Sequence, residues 1–255
     1  MATDLDRPQR LAILIDADNA SPRAAAVIFE EIATIGEASA RRIYGDFSGT
    51  RLKGWAEVLA TYAIIPQQNF ANTVGKNASD IALVIDAMDL LHSGRFDGFC
   101  LVSSDSDFTR LAARIREQGL DVYGFGEQKT PESFRQACRR FIYTENLLPE
   151  APTSEEPERA DLRPAAAKQA PSAAAPLIRK AIAQLDDDGG WVPLGRVGQR
   201  LAELASDFDP RTYGQAKLSD LVDKAGVFES RRTDSGHVQI RLNTADKRAP
   251  KTSTR

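Results

Sequence analysis

Cysteine and histidine are both nearly absent. Cys100 and Cys138 stand far apart with no CxxC pair, and His92 and His237 are the only histidines in 255 residues. This argues against a zinc centre and against a disulfide framework, and it suits a reducing, cytoplasmic setting. A basic excess is missing too. The chain has 33 Lys and Arg against 36 Asp and Glu, a formal charge of −3, so a polyanion would have to be met by locally placed cations rather than by a basic coat. Met1 to Arg10 is polar and lacks the apolar stretch of a signal peptide. No apolar run approaches the length of a bilayer-spanning helix, so no membrane association is expected. No internal repeat is visible.

Hydrophobic residues make up 42% of the chain, enough for a packed core in most of it. Leu11-Ala12-Ile13-Leu14-Ile15 is apolar throughout and ends at Asp16, as expected of a strand buried on both faces of a parallel sheet. Ser21-Pro22 is a helix start, and the alanine-rich stretch to Thr34 reads as the helix. The pattern then predicts strands at 38–44, 63–66, 98–103 and 120–125, and helices at 55–62, 79–91 and 108–118. The helix at 79–91 is expected to turn Ile81, Val84, Ile85 and Met88 to one face. Strands and helices thus alternate. That predicts an α/β domain with a mostly parallel sheet and helices on both sides over residues 10–148.

Residues 149–175 are rich in Pro, Ala and Glu with few large apolar side chains, the composition of a disordered linker. Globular patterning resumes over 176–242. Helices are expected at 177–185, 194–204 and 215–224, then a hairpin at 227–241 turning near Ser235-Gly236. Three helices and a hairpin make a small winged-helix plan. The tail, 243–255, is polar and basic.

The aspartates fall at informative places. Asp16 ends the first strand, Asp105 and Asp107 follow the strand that ends at Val102-Ser103, and Asp80 opens a helix just after Lys76. In an open parallel sheet ligands collect outside the carboxyl ends of the strands, so these segments deliver carboxylates to one edge. Clustered carboxylates repel and call for a counter-charge. A hard divalent cation, Mg²⁺ or Mn²⁺, supplies it through oxygen ligands, and neither histidine lies nearby in sequence. Each aspartate alone has an ordinary reading. Asp107 could cap the helix beginning at Phe108, and Asp18 could cap or solvate its turn, so Asp18 is left out of the metal set. Asp86 and Asp89, mid-helix, read as solvated or salt-bridged, and Cys100 as buried packing. Asn19 orients Asp16 or shapes the turn. Lys76 contacts phosphate or faces solvent.

Three blocks carry a resemblance. Ile13-Leu14-Ile15-Asp16-Ala17-Asp18-Asn19, Lys76-Asn77-Ala78-Ser79-Asp80 and Val102-Ser103-Ser104-Asp105-Ser106-Asp107-Phe108 resemble the signature blocks of NYN domains of the LabA-like branch. The resemblance implies a PIN-like fold in which Asp16, Asp80, Asp105 and Asp107 are the catalytic, metal-binding quartet, with Asn19, Lys76 and Ser104 in support. It also implies ribonuclease activity with Mg²⁺ or Mn²⁺. Further on, Asp207-Phe208-Asp209-Pro210-Arg211-Thr212-Tyr213-Gly214 and Lys217-Leu218-Ser219-Asp220-Leu221-Val222 resemble the OST-HTH or LOTUS domain. That family is a winged helix linked to RNA or to protein partners. Arg196, Arg200, Arg211, Lys217, Arg231 and Arg232 are its candidate phosphate contacts, each equally readable as solvated surface.

The expected function is hydrolysis of RNA phosphodiester bonds, with the C-terminal module holding the RNA or a protein partner. Two other readings stand beside it. One is an RNA-binding adapter with a weak or inactive catalytic domain. The other is a haloacid-dehalogenase-like phosphatase, suggested by Asp16-Ala17-Asp18 but opposed by Ala20 and by the compressed Asp105-Ser106-Asp107. Oligomeric state is not legible.

Overall fold

In this computed structural model the described residues are 7–70, 78–148, 168–185, 190–233 and 236–243. The chain divides into two compact units, 1–166 and 167–255. The first is built on a six-stranded sheet of β1 (Arg10–Asp16), β2 (Glu37–Gly45), β3 (Ile65–Gln68), β4 (Gly98–Val102), β5 (Asp121–Gly126) and β6 (Arg140–Tyr143). Their order is β3-β2-β1-β4-β5-β6 and every pairing is parallel. Helices α1 (Ala25–Ile35) and α2 (Lys53–Val58) serve one face of the sheet, and α3 (Ala78–His92), α4 (Thr109–Glu117) and α5 (Glu132–Ala137) the other.

Alternation along the strands shows why both faces are covered. In β1, Ala12 and Leu14 pack with Leu83, Leu111 and Ile115, whereas Leu11, Ile13 and Ile15 pack with Ile28, Ile32 and Trp55. In β4, Phe99 and Leu101 take the first side, Cys100 and Val102 the second. A strand apolar at every position therefore finds apolar partners on both sides. Cys100 and Cys138 are free and buried, as packing residues.

The face of α3 differs from the sequence expectation. Leu83, Ala87, Leu90 and Leu91 are buried, Ile81 and Ile85 are 60% and 57% exposed, and Val84 and Met88 are partly buried. The helix carries two apolar stripes, and polar anchors decide between them. Asp86 accepts hydrogen bonds from Arg42 Nη1 at 2.6 Å and Tyr44 Oη at 2.7 Å, both on β2. Burial and the adjacent carboxylate push the Tyr44 phenol well above its ordinary pKa, so it stays a donor. Of its two expected states Asp86 is in the salt-bridged one, paired with Arg42, and it anchors the helix to the sheet. The sequence pattern also missed α5 and β6, which are only six and four residues long.

The second unit holds α6 (Ala175–Ala183), β7 (Val192–Pro193), α7 (Leu194–Leu204), α8 (Leu218–Ala225), β8 (Phe228–Arg232) and β9 (Val238–Leu242). Ile178, Ile182, Val197, Leu201, Leu221, Val222 and Ile240 form its own core. The antiparallel sheet has the order β7-β9-β8, so a two-residue strand joins the expected hairpin in a winged-helix-like arrangement. The third helix starts at Leu218 rather than 215, because a 3-10 turn, Pro210–Tyr213, ends at Gly214 (φ 70°) and Gln215 N–H donates back to Pro210 O at 3.0 Å. The unit also begins earlier than the expected 176. A 3-10 turn, Pro171–Ala174, stands within the range assigned to the linker and buries Ala174 in the core. The remainder of that linker, 149–167, and the tail after Asn243 lie outside the described residues. Among the described residues no helix is long and apolar enough to cross a membrane.

Candidate active site

The chain leaves β1 toward β2 and β3 in one direction and reaches β4, β5 and β6 in the other. The carboxyl ends of β1 and β4 therefore frame a topological switch point, where α/β sheets place ligands. Asp16, the last residue of β1, is 1% exposed. Its Oδ1 accepts the backbone N–H of Asp18 (3.1 Å) and of Asn19 (3.3 Å), and its Oδ2 accepts Asn19 Nδ2 (2.8 Å) and Ser103 Oγ (2.7 Å). Burial raises the Asp16 pKa, and the bonds from Ser103, Asn19 and Asp18 act against that rise. The carboxylate is thereby fixed in one orientation.

Ser103 is the residue that sequence reasoning missed. It donates to Asp16 and accepts the N–H of Asp105 at 3.0 Å, tying the two strand ends together. Ser104, the serine expected in support, accepts the N–H of Glu127 at 2.9 Å. The signal for Ser103 is the β1–β4 register, where Ile15 pairs with Val102 and Asp16 follows beside Ser103. On the other side Gly126 of β5 lets the backbone pass close to Ser103, since a Cβ there would lie 2.5 Å from Ser103 O.

Beyond β4 a 3-10 turn, Ser106–Phe108, leads into α4. Asp105 caps it by accepting the N–H of Asp107 at 2.9 Å, so the cap falls on Asp105, and Asp107 stands in the first turn. Asp80 sits in the first turn of α3, half-buried, and its pKa is pushed up to about 6. Burial is the largest cause, followed by the charges of Asp16, Asp105, Asp18 and Asp107. The other three expected aspartates are thus within electrostatic reach of Asp80, and so is Asp18. Asp18 is ion-paired with Arg51 from the loop after β2. Lys76 lies outside the described residues.

The donor set is made of hard carboxylate oxygens and a hydroxyl, the chemistry that holds Mg²⁺ or Mn²⁺ rather than a soft metal. Among the described residues no three His, Cys, Asp or Glu side chains close into a cage. A Mg²⁺ site of the usual kind keeps several waters and takes one or two carboxylates plus substrate phosphate, so this edge fits such an ion.

In the second unit the six candidate cations do not share one state. Arg211 is forked onto the buried Asp209, with Nη2 at 2.6 Å, and Arg200 pairs with Glu203 at 2.6 Å. Arg196, Lys217, Arg231 and Arg232 are exposed.

A parallel sheet with carboxylates gathered at its switch point is the plan of a PIN-like nuclease fold. The chain belongs to the NYN domain family, which matches residues 10–148, and an OST-HTH/LOTUS domain matches residues 169–240. Of solved structures, a protein of unknown function from Vibrio parahaemolyticus is 20% identical over 54% of this chain and 94% of its own, with a TM-score of 0.44. An uncharacterized protein from Nitrosomonas europaea, solved by NMR, is 36% identical over 36% of this chain and 90% of its own, with a TM-score of 0.27. No curated protein matches.

Proposed function

We propose that the chain is a Mg²⁺- or Mn²⁺-dependent ribonuclease whose C-terminal unit holds the RNA. The observation that carries this is that Asp80, whose pKa burial pushes up to about 6, also feels the charges of Asp16, Asp105, Asp18 and Asp107 from the switch point. Asp80 and Asp105 would hold the ion, with Asp16 and Asp107 beside them. When bound, the ion supplies Lewis-acid stabilisation of phosphate charge and activation of a water. The chain's own residues do the positioning. Ser103 and Asn19 keep Asp16 rigid, and the 3-10 turn fixes Asp105 against Asp107. Preorganised groups of this kind need no rearrangement as charge develops. Lys76 is proposed to steady the RNA backbone. Two free, buried thiols support a cytoplasmic setting.

A second reading, an RNA-binding adapter with little turnover, is favoured by the four hydrogen bonds already made to Asp16. They leave that carboxylate little capacity for an ion. The deciding experiment incubates the purified protein with labelled single-stranded and structured RNAs in Mn²⁺, Mg²⁺ or EDTA. Cleavage with metal that disappears in EDTA and in Asp105→Asn supports the nuclease. RNA binding without cleavage under every condition supports the adapter. The phosphatase reading has no support from the family matches.

A further inference from the structure

The outer face of the winged-helix sheet joins one candidate cation, Arg231, to a second arginine and a tryptophan. Phe228 and Ile240 are buried, so the alternation of β8 and β9 turns Glu229, Arg231, Gln239 and Arg241 to the opposite face. Trp191, immediately before β7, lies on that face, partly exposed. The Arg231 guanidinium carbon is 4.2 Å from the centroid of its ring and that of Arg241 is 4.5 Å away. Arg231 donates to a neutral partner, Gln239 Oε1, at 2.8 and 2.9 Å, whereas Arg241 pairs with Glu229 at 2.6 Å.

We propose that this face, centred on Trp191 with Arg231 and Arg241, binds a single-stranded segment of RNA by stacking unpaired bases on the indole–guanidinium surface and pairing phosphates with the arginines. The inference rests on the reading of the C-terminal unit as an RNA-holding module and says where and in what form the RNA is held. Three observations favour an oligonucleotide as the occupant. An indole held against guanidinium planes is a π-surface of the kind on which unpaired bases stack. Cation–π contact pre-orders two flexible arginine side chains, lowering the entropy lost when they meet a polyanion. The other side of the hairpin is less suited to an anion. There a groove of about 240 Å³ is lined by Asp220 and Asp223 with Arg232. Duplex RNA offers no unstacked base and gains only the phosphate contacts.

The protein's two tryptophans make the test direct. Trp55 is 1% exposed in the first unit, so the emission difference between the full-length wild type and its Trp191→Phe variant reports Trp191. The probe is a short oligouridylate titrated in the presence of EDTA, with duplex RNA of similar length as comparison. Single-stranded RNA is expected to quench the Trp191 emission and the duplex to quench it far less. Trp191→Ala should weaken single-strand binding about tenfold, and Arg231→Gln, which leaves the ring in place, severalfold. Circular dichroism of both variants confirms that the unit is folded. Tight single-strand binding with no quenching and no change in either variant overturns this surface while leaving the RNA-holding role intact. Equal quenching by duplex overturns the single-strand assignment. No RNA binding by the wild type overturns the surface and the RNA-holding role together, and points to a protein as the occupant.

Discussion

Asp80 shows how far a single charge can report on its neighbours. Its folded-state pKa of about 6 lies above the ordinary 3.8, so folding favours its protonated form. The stabilisation that this brings is full below the unfolded value. It is lost as pH rises through about 6, and above that the ionised carboxylate, partly buried and crowded by like charges, opposes folding. Removing the charge should therefore help only at the higher pH. Asp80→Asn in EDTA is expected to raise Tm by about 2–4 °C near neutrality, on the order of 1 kcal/mol after allowance for solvent screening. Near pH 4 the change should be within error, and Mn²⁺ should stabilise the wild type more than the variant. Thermal melts across that range with and without Mn²⁺ check this, and a pH-independent effect would remove electrostatic crowding as the cause. Ser103 makes a second prediction. Ser103→Ala deprives Asp16 of one donor and the Asp105 N–H of its acceptor, costing about 1–3 kcal/mol. It should lower cleavage more than Ser104→Ala, whose bond is to Glu127. Equal rates for the two variants would show that the Asp16 tether is not needed. The aspartates were legible in sequence because each follows a strand or opens a helix. Ser103 was not, because its role depends on the register between two strands nearly ninety residues apart, and its neighbour Ser104 has the same chemistry.

Elements with a single apolar stripe were readable, and α7 came out at the expected Leu194–Leu204. Helix α3 was located but its orientation was not: periodicity favoured the stripe of Ile81, Val84, Ile85 and Met88, whereas the helix buries Leu83, Ala87, Leu90 and Leu91. The choice rests on Arg42 and Tyr44 from β2 gripping Asp86, a tertiary contact with no local trace. That grip also aims the first turn of α3, and with it Asp80, at the switch point. Asp86→Ala leaves a partly buried guanidinium and a buried phenol without their common acceptor. It should destabilise the first unit by about 2–3 kcal/mol. It should also weaken Mn²⁺-dependent stabilisation, although Asp86 is not placed among the ion's ligands. Denaturant melts with and without Mn²⁺ measure both effects. A large loss of stability with full Mn²⁺ response would mean that Asp86 holds the helix without aiming Asp80. Short elements such as β7 escaped because two residues, Val192–Pro193, carry no pattern at all and gain strand character only from β9.

At the scale of the whole molecule, the two units have separate cores and separate chemistry. Asp16, Asp80, Asp105, Asp107 and Ser103 all belong to the first, and Trp191, Arg231 and Arg241 to the second. A chain ending at Leu148 contains every strand of the parallel sheet and both of its helical layers. It should fold and retain turnover on saturating short RNA. Its affinity for longer single strands should fall, because a tethered second module acts by raising the effective concentration of RNA at the site. The difference between the two forms should be largest at low salt, where contacts of Lys and Arg with phosphate contribute most. Titration and single-turnover cleavage of both forms, with short and long RNA at two salt concentrations, separate the possibilities. Equal affinities throughout would reject an RNA-holding second unit and leave protein docking as its role. Loss of turnover on the short RNA would mean that the C-terminal unit completes the catalytic edge, a dependence that the separate cores do not foreshadow.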